Sequence, residues 1–300
     1  MMKHTLKEWL AVTRYWSFPV SAMPVAVCFA YLFSRGLVPD GTMPWLCLLL
    51  SLLGIVVLHA AGNVLSDYKD YKCGVDNERA FAVPNLVFKT FEPREYLVFS
   101  ILLFAVGIAV GIVITLLSGP GVLVVGAAGV LLTVLYSFLK YHALGDLDIF
   151  LIFGVLAFLG TSCAITGTVV VDTLLLALPV GIITVSVLHA NNTFDTNSDR
   201  EAGIKTFGML LGIQTSARLY CCYMVLPFLC LVLYVAAGLL HPLALLSLVA
   251  VVPAYKNFRR AAQYRHLGLD AMKGLDIASS KLQMAFSGLL TIGLIIAGLL

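Results

Sequence analysis

The amino-acid sequence predicts an all-α polytopic membrane protein, with nine transmembrane helices forming a single domain over residues 1–300. Composition is the first ground: 60% of the residues are hydrophobic, 12% are charged, and the mean hydropathy is +0.98, well to the apolar side of a soluble domain. The second is the length of the stretches that carry no charge, and the third is where the lysines and arginines fall between them.

The elements follow in chain order. Residues 1–16 mix Lys3, Lys7, Glu8 and Arg14 with Trp9 and Trp16, the pattern of an interfacial helix, not of a cleaved secretory signal with its apolar core and small-residue site. Uncharged runs then occupy 15–34, 41–66, 96–139, 149–171, 173–194, 219–255 and 282–300. A helix needs about 20 apolar residues to cross a bilayer, so five of these runs hold one helix each. Run 96–139 carries Ser118-Gly-Pro-Gly121 at its middle and run 219–255 carries Gly238-Leu-Leu-His-Pro242, turn signals that split each into two helices.

With the N-terminus inside, segments 1–14, 67–95, 140–148, 195–218 and 256–281 hold 18 of the 19 lysines and arginines and leave Arg35 outside. The expected placement is the cytoplasmic (inner) membrane, N-terminus inside and C-terminus outside. The net charge of +3 is spread over loops that face anionic headgroups, so the expected partner is the lipid bilayer and not nucleic acid, and no obligate protein partner is implied. The seven cysteines form no CxxC pair and fall almost entirely in apolar runs, which suits small buried apolar residues better than ligands or disulfides.

In this topology fourteen of the sixteen Asp and Glu residues lie on the cytoplasmic side, densest where the second and sixth helices emerge. The second helix ends in Asn63-Val-Leu-Ser-Asp67-Tyr-Lys-Asp70 and the sixth in Asn191-Asn-Thr-Phe-Asp195-Thr-Asn-Ser-Asp199. Superposing Asp67 on Asp195 puts Asn63 on Asn191, and each word follows a His-Ala pair, led by His59 and His189, at slightly different offsets. Residues three or four apart share a helix face, so Asn63, Asp67 and Asp70 form one stripe and Asn191, Asp195 and Asp199 another. If the stripes face each other, at least four carboxylates share one pocket. Single acids past helix ends are usually solvated, whereas paired polar stripes at the lip of a span are costly and point to function. Crowded carboxylates take up protons unless cations neutralise them. The hard cation suited to carboxylate and amide oxygens, and shared with phosphates, is Mg²⁺, so a phosphate-bearing substrate bridged through metal is expected. His59 and His189 are expected to be packing residues, because Mg²⁺ prefers oxygen.

Carried on nine spans, these words resemble the UbiA superfamily of intramembrane prenyltransferases, helical bundles around a central cavity. "SDYKDYKCGVDNER" and "NNTFDTNSDREAGIKT" are most similar to the 1,4-dihydroxy-2-naphthoate prenyltransferases of menaquinone biosynthesis. Tyr136-Ser-Phe-Leu-Lys140-Tyr-His-Ala-Leu-Gly145-Asp146 falls where the family has a Tyr-Ser or Tyr-Thr, then a basic residue and a Leu-Gly-Glu. The resemblance implies Mg²⁺-dependent transfer of an isoprenoid chain from a polyprenyl diphosphate to an aromatic acceptor, with loss of carbon dioxide when the acceptor is the naphthoate. It implies Asn63, Asp67, Asp70, Asp195 and Asp199 as metal ligands, and Asp67, Asp195, Lys140 and Tyr136 as catalytic residues. Asn63, Arg79, Lys140, Asp146, Asn191, Asn192, Arg200 and Lys205 would bind substrate, Asp76 would be a further acid, and the site would open to the cytoplasmic side.

Two departures touch the acceptor side. After Arg79 the sequence reads Ala80-Phe-Ala-Val-Pro in place of a Gly-Pro-Arg-like word, and Asp146 replaces the family's Glu without the Pro-rich word before it. Another aromatic, a tetrapyrrole or a glycerol phosphate therefore stay open as acceptors. A secondary transporter is the alternative from another class. Acids gathered at one face, on two helices that exit in the same direction, argue against it.

Overall fold

A computed structural model of the chain describes residues 4–75 and 84–300, and among these the ordered elements are all helical. The first is α1 (Leu6–Val12), where Thr5 and Glu8 cap each other: the Glu8 amide donates to Thr5 Oγ1 at 3.3 Å and the Thr5 amide to Glu8 Oε2 at 2.6 Å. Arg14 follows with φ 54°, a left-handed conformation costly for a residue with a Cβ, and turns the chain through a short 3₁₀ turn, Tyr15–Ser17, into α2 (Pro19–Ser34).

Next come α3 (Met43–Lys72), α4 (Pro93–Ser118) and α5 (Gly121–Tyr141), the last two joined by the turn read from Ser118-Gly-Pro-Gly121, with Gly119 at φ 103°. The fifth span, α6, runs Gly145–Thr166 and is wound as a π-helix over Phe150–Leu156. It leads to α7 (Leu174–Phe194), the short α8 (Thr196–Glu201), α9 (Phe207–Tyr223), which kinks at Gly212 (φ 72°), and α10 (Leu226–Ala236). The last helices are α11 (Val251–Ala261) and α12 (Leu275–Leu299).

Among the described residues eight helices are long and apolar enough to cross a membrane, α9 and α10 counting as one stretch. The segment expected as a further helix after Gly238 takes another form. Pro242–Ala250 winds as a 3₁₀ helix before passing into α11. Pro253 has no amide hydrogen to give the Val249 carbonyl, which removes one α-helical bond at the junction. The segment also lies tightly on α12, where a Cβ at Gly293 would stand 2.2 Å from the Leu243 carbonyl oxygen.

The main core joins α2, α6, α7, α9, α10 and α12 through side chains such as Phe158, Tyr220, Leu231 and Phe286, all buried. α4 and α5 do the opposite: Ile101, Leu102, Leu116, Val124 and Leu131 face outward and exposed. In water such a surface would drive aggregation. In lipid it is the favoured one, because helices satisfy their own backbone and present hydrocarbon to hydrocarbon.

Candidate active site

The first acid word lies wholly on a helix. α3 continues through Lys72, so Asn63, Asp67 and Asp70 share a face in its last turns, and both carboxylates are buried at 2% and 5% exposure. The second word is broken at Asp195 (φ −81°, ψ 7°), which ends α7 and starts α8. Asp199 stays one turn away, its amide donating to the Asp195 carbonyl at 2.9 Å, and is itself buried.

The stripes are bridged by the chain's own cations. Arg14 Nη2 donates to Asp67 Oδ1 at 2.5 Å, Lys140 Nζ reaches Asp70 Oδ2 at 3.4 Å, and the Tyr141 hydroxyl donates to Asp70 Oδ1. Lys140 and Arg14 also act on Asp195. Burial raises that carboxyl above the ordinary Asp range, while the Lys140 ammonium, the Asn191 hydrogen bond (2.8 Å) and Arg14 pull it down and Asp276 pushes it up. Among the described residues no three His, Cys, Asp or Glu side chains converge on one point as they stand here. Carboxylates crowded at low dielectric repel, and here Asp67 and Asp70 each draw a cation, Arg14 and Lys140.

Beside the stripes lies a cavity of about 170 Å³, lined at one end by Arg14, Asn63, Asn191 and Asp276 and further in by Tyr136 and Phe153. A second cavity of about 150 Å³ continues from it, sharing His59, Thr133, Ile152 and Phe153 and running along α3 to Ser51. From Asn63 to Ser51 that is about 18 Å of helix. Its walls are apolar and glycine-rich. At Gly126 and Gly129 an added Cβ would meet nothing within 4 Å, so the hollow is real space bounded by bare backbone.

The two histidines differ because their offsets differ. His59 precedes Asp67 by eight residues and His189 precedes Asp195 by six, and two residues on a helix are a rotation of about 200°. His59 accordingly faces the cavity, with Nδ1 3.0 Å from Ser21 Oγ, while His189 faces into the bundle, fully buried. There His189 Nδ1 is 2.6 Å from Asp146 Oδ2 and Nε2 is 2.9 Å from Ser216 Oγ, which also contacts the Thr193 hydroxyl. One imidazole thus ties α7 to the start of α6 and to α9. Gly208 permits the approach of α9 to α7, since a Cβ there would come 3.0 Å from Thr193 Oγ1 and 3.2 Å from Thr193 Cα.

Of the residues read from sequence, Asn63, Tyr136 and Asn191 line the cavity, Asp67, Asp70 and Lys140 meet in the ion pairs, and Asp195 and Asp199 stand across from them. Asp146 is buried against His189 and does not line the first cavity, because its position on α6 turns it toward α7. Arg200 and Lys205 are exposed, Lys205 holding the Tyr141 carbonyl through its amide at 3.2 Å. Arg79 and Asp76 lie outside the described residues. Sequence reasoning missed Arg14, Tyr141 and Asp276. Arg14 carried one usable signal, as the last charge before the first apolar run.

A hard divalent cation suits this donor set in kind. Asn63 spends its amide nitrogen on the Thr13 carbonyl (3.0 Å) and Ser17 Oγ (3.3 Å), and Asn191 spends its own on Asp195, so in both the amide oxygen is the atom left for a metal. Asn192 Oδ1 is buried with no hydrogen-bond partner among the described residues. Carboxylate and amide oxygens with no thiolate or imidazole among them are the ligands Mg²⁺ prefers.

Fold and site together define an integral membrane enzyme whose charged chemistry sits at the head of an apolar channel. The chain belongs to the UbiA prenyltransferase family, whose model matches residues 10–272, and it is a prenyltransferase. It is 30% identical over 253 residues to UbiA prenyltransferase domain-containing protein 1 of Danio rerio, covering 82% of this chain and 74% of that one. The protein of the same name from Xenopus tropicalis is 31% identical over 233 residues, covering 76% of this chain and 66% of its own length. In three dimensions the chain resembles a UbiA homolog from Archaeoglobus fulgidus bound to GPP and Mg²⁺, with a TM-score of 0.69 at 16% identity, covering 96% of this chain and 99% of that one.

Proposed function

We propose that the protein transfers an isoprenoid chain from a polyprenyl diphosphate to an aromatic acceptor, most specifically 1,4-dihydroxy-2-naphthoate with loss of carbon dioxide, the prenylation of menaquinone biosynthesis. The observation that carries this reading is the continuity of the acid site with two linked cavities, charged at one end and apolar at the other. A diphosphate head and a hydrocarbon tail are the two halves such a channel takes. The structural relative's bound GPP and Mg²⁺ support the same donor here.

Asp67, Asp70, Asp195 and Asp199, with Asn63, would hold Mg²⁺. Bound there, the metal would neutralise the diphosphate and stabilise negative charge growing on the leaving oxygen. The chain's own residues supply the rest. Lys140, buried between the stripes, places a fixed positive charge where the diphosphate departs. Tyr136 offers a π face to the allylic cation, and Ile149, Ile152 and Phe153 keep water from it. The acceptor's electron-rich ring then attacks. We place the acid site on the cytoplasmic side of the inner membrane, from the lysine and arginine partition.

Purified protein given radiolabelled geranylgeranyl diphosphate, Mg²⁺ and 1,4-dihydroxy-2-naphthoate should form prenylated product, EDTA should stop it and added Mg²⁺ should restore it. Turnover in EDTA would remove the metal reading. Mg²⁺-dependent donor binding with no naphthoate product would keep the donor and exclude this acceptor. A second expectation concerns the tail. Gly126→Leu fills open space in the second cavity, so it should lower turnover with geranylgeranyl diphosphate about tenfold while leaving geranyl diphosphate within about twofold. Equal losses on both donors would place the tail elsewhere.

A further inference from the structure

Away from the acid site, Arg218, Tyr264 and Arg265 form a cluster of another kind. Arg218, on α9, is the last charge before the uncharged run 219–255, and Tyr264 and Arg265 follow the basic end of α11. Both arginines thus stand where the chain passes between the apolar layer and the headgroups. Arg218 Nε donates to the Tyr264 hydroxyl oxygen at 3.1 Å, and Arg265 Nε donates to the same oxygen at 3.3 Å. The guanidinium carbons lie 5.9 and 6.0 Å from the ring centroid. The ring is 9% exposed, while both arginines are exposed above it.

This arrangement offers donors and nothing else. The phenol oxygen accepts two N–H bonds, which leaves its O–H as a donor, and the terminal nitrogens of both guanidiniums stay available. Neither arginine pairs with a carboxylate among the described residues. Two like charges gathered on one neutral oxygen repel, and an anion between them removes that cost. Guanidinium forks match phosphate oxygens two at a time. At the edge of the apolar layer, the phosphate at hand belongs to a lipid.

We propose that Arg218, Tyr264 and Arg265 form a binding site for the phosphate of an anionic phospholipid, separate from the acid site. The bound lipid clamps α9 to the segment after α11. Ser216, two residues before Arg218, is the α9 partner of His189, so the clamp steadies the element that holds that imidazole.

The test uses full-length protein in a nonionic detergent, with native mass spectrometry counting retained phosphatidylglycerol or phosphatidylcholine and a melting curve showing that each variant is folded. Wild type should retain one phosphatidylglycerol in preference to phosphatidylcholine. R218Q/R265Q should bind it about tenfold more weakly, and R259Q/R260Q, which removes the same charge from the neighbouring helix, should change it less than about twofold. Equal losses in the two double variants would show diffuse surface charge and overturn the site. So would a melting-temperature rise with inorganic phosphate that R218Q/R265Q abolishes, if phosphatidylglycerol shows no preference, because the ligand would then be free phosphate.

Discussion

Asp67→Asn and Asp195→Asn should each lower turnover by about a hundredfold or more in protein that remains folded. Each change keeps side-chain size and removes one negative charge from a different stripe. At Asp67 the change also puts a neutral amide where Arg14 Nη2 now meets a carboxylate at 2.5 Å. If the stripes hold cations against a diphosphate, either loss weakens the groups that stabilise the leaving charge, a contribution of about 3 to 4 kcal/mol for one well-placed group. Asp40→Asn, at an exposed position in the loop between α2 and α3, is the matched control and should leave the rate unchanged. Steady-state turnover with a melting curve checks all three, and a normal rate in either stripe variant would sink the assignment.

The second large effect falls on stability. Asp146→Ala should destabilise the bundle by about 3 kcal/mol, because it leaves His189 buried without the carboxylate 2.6 Å from its Nδ1. His189→Phe should cost a similar amount by stranding Asp146. The double change Asp146→Ala/His189→Phe should cost clearly less than the two single costs together, since residues in one network do not act additively. Unfolding midpoints for the four proteins close the cycle. Single costs under about 1 kcal/mol, or strict additivity, would mean that the three-helix tie contributes nothing beyond packing.

Much of the fold was legible because it is written in local terms. A run without charge long enough to cross a bilayer says so wherever it occurs, and Gly119 and Gly238, both at positive φ, mark turns that Gly-Pro and Gly-Leu-Leu-His-Pro announce. Asp67 and Asp70 were legible because their helical register is fixed by spacing on α3. What the sequence hides depends on long-range placement. Arg14 reaches Asp67 across more than fifty positions, through a left-handed residue that no neighbour predicts. Asp276 joins the cavity from the start of α12, with nothing around it to mark it. The matched His-Ala pairs suggested equivalence, and only the rotation implied by their offsets separates a cavity wall from a structural tie. Asp146 was picked out by its place in a motif, and its buried contact with His189 was not legible there.

The 3₁₀ winding of Pro242–Ala250 changes how far a short run of sequence can reach. Only fourteen residues, 242–255, separate the turn at its head from the charges that begin at Lys256, too few for an α-helical crossing. Wound as 3₁₀, nine of them rise about 2.0 Å each, and with the five α-helical residues that follow the apolar stretch measures about 25 Å instead of about 21 Å. Lys256, Arg259 and Arg260 follow it, all exposed, Arg260 donating to the Asp270 carbonyl at 3.3 Å. The tighter, longer-pitched coil thus carries a short stretch of chain further than an α-helix of as many residues. As a regular α-helix the same residues would span about 4 Å less, and the contact that seats Leu243 against Gly293 of α12 would fall out of register.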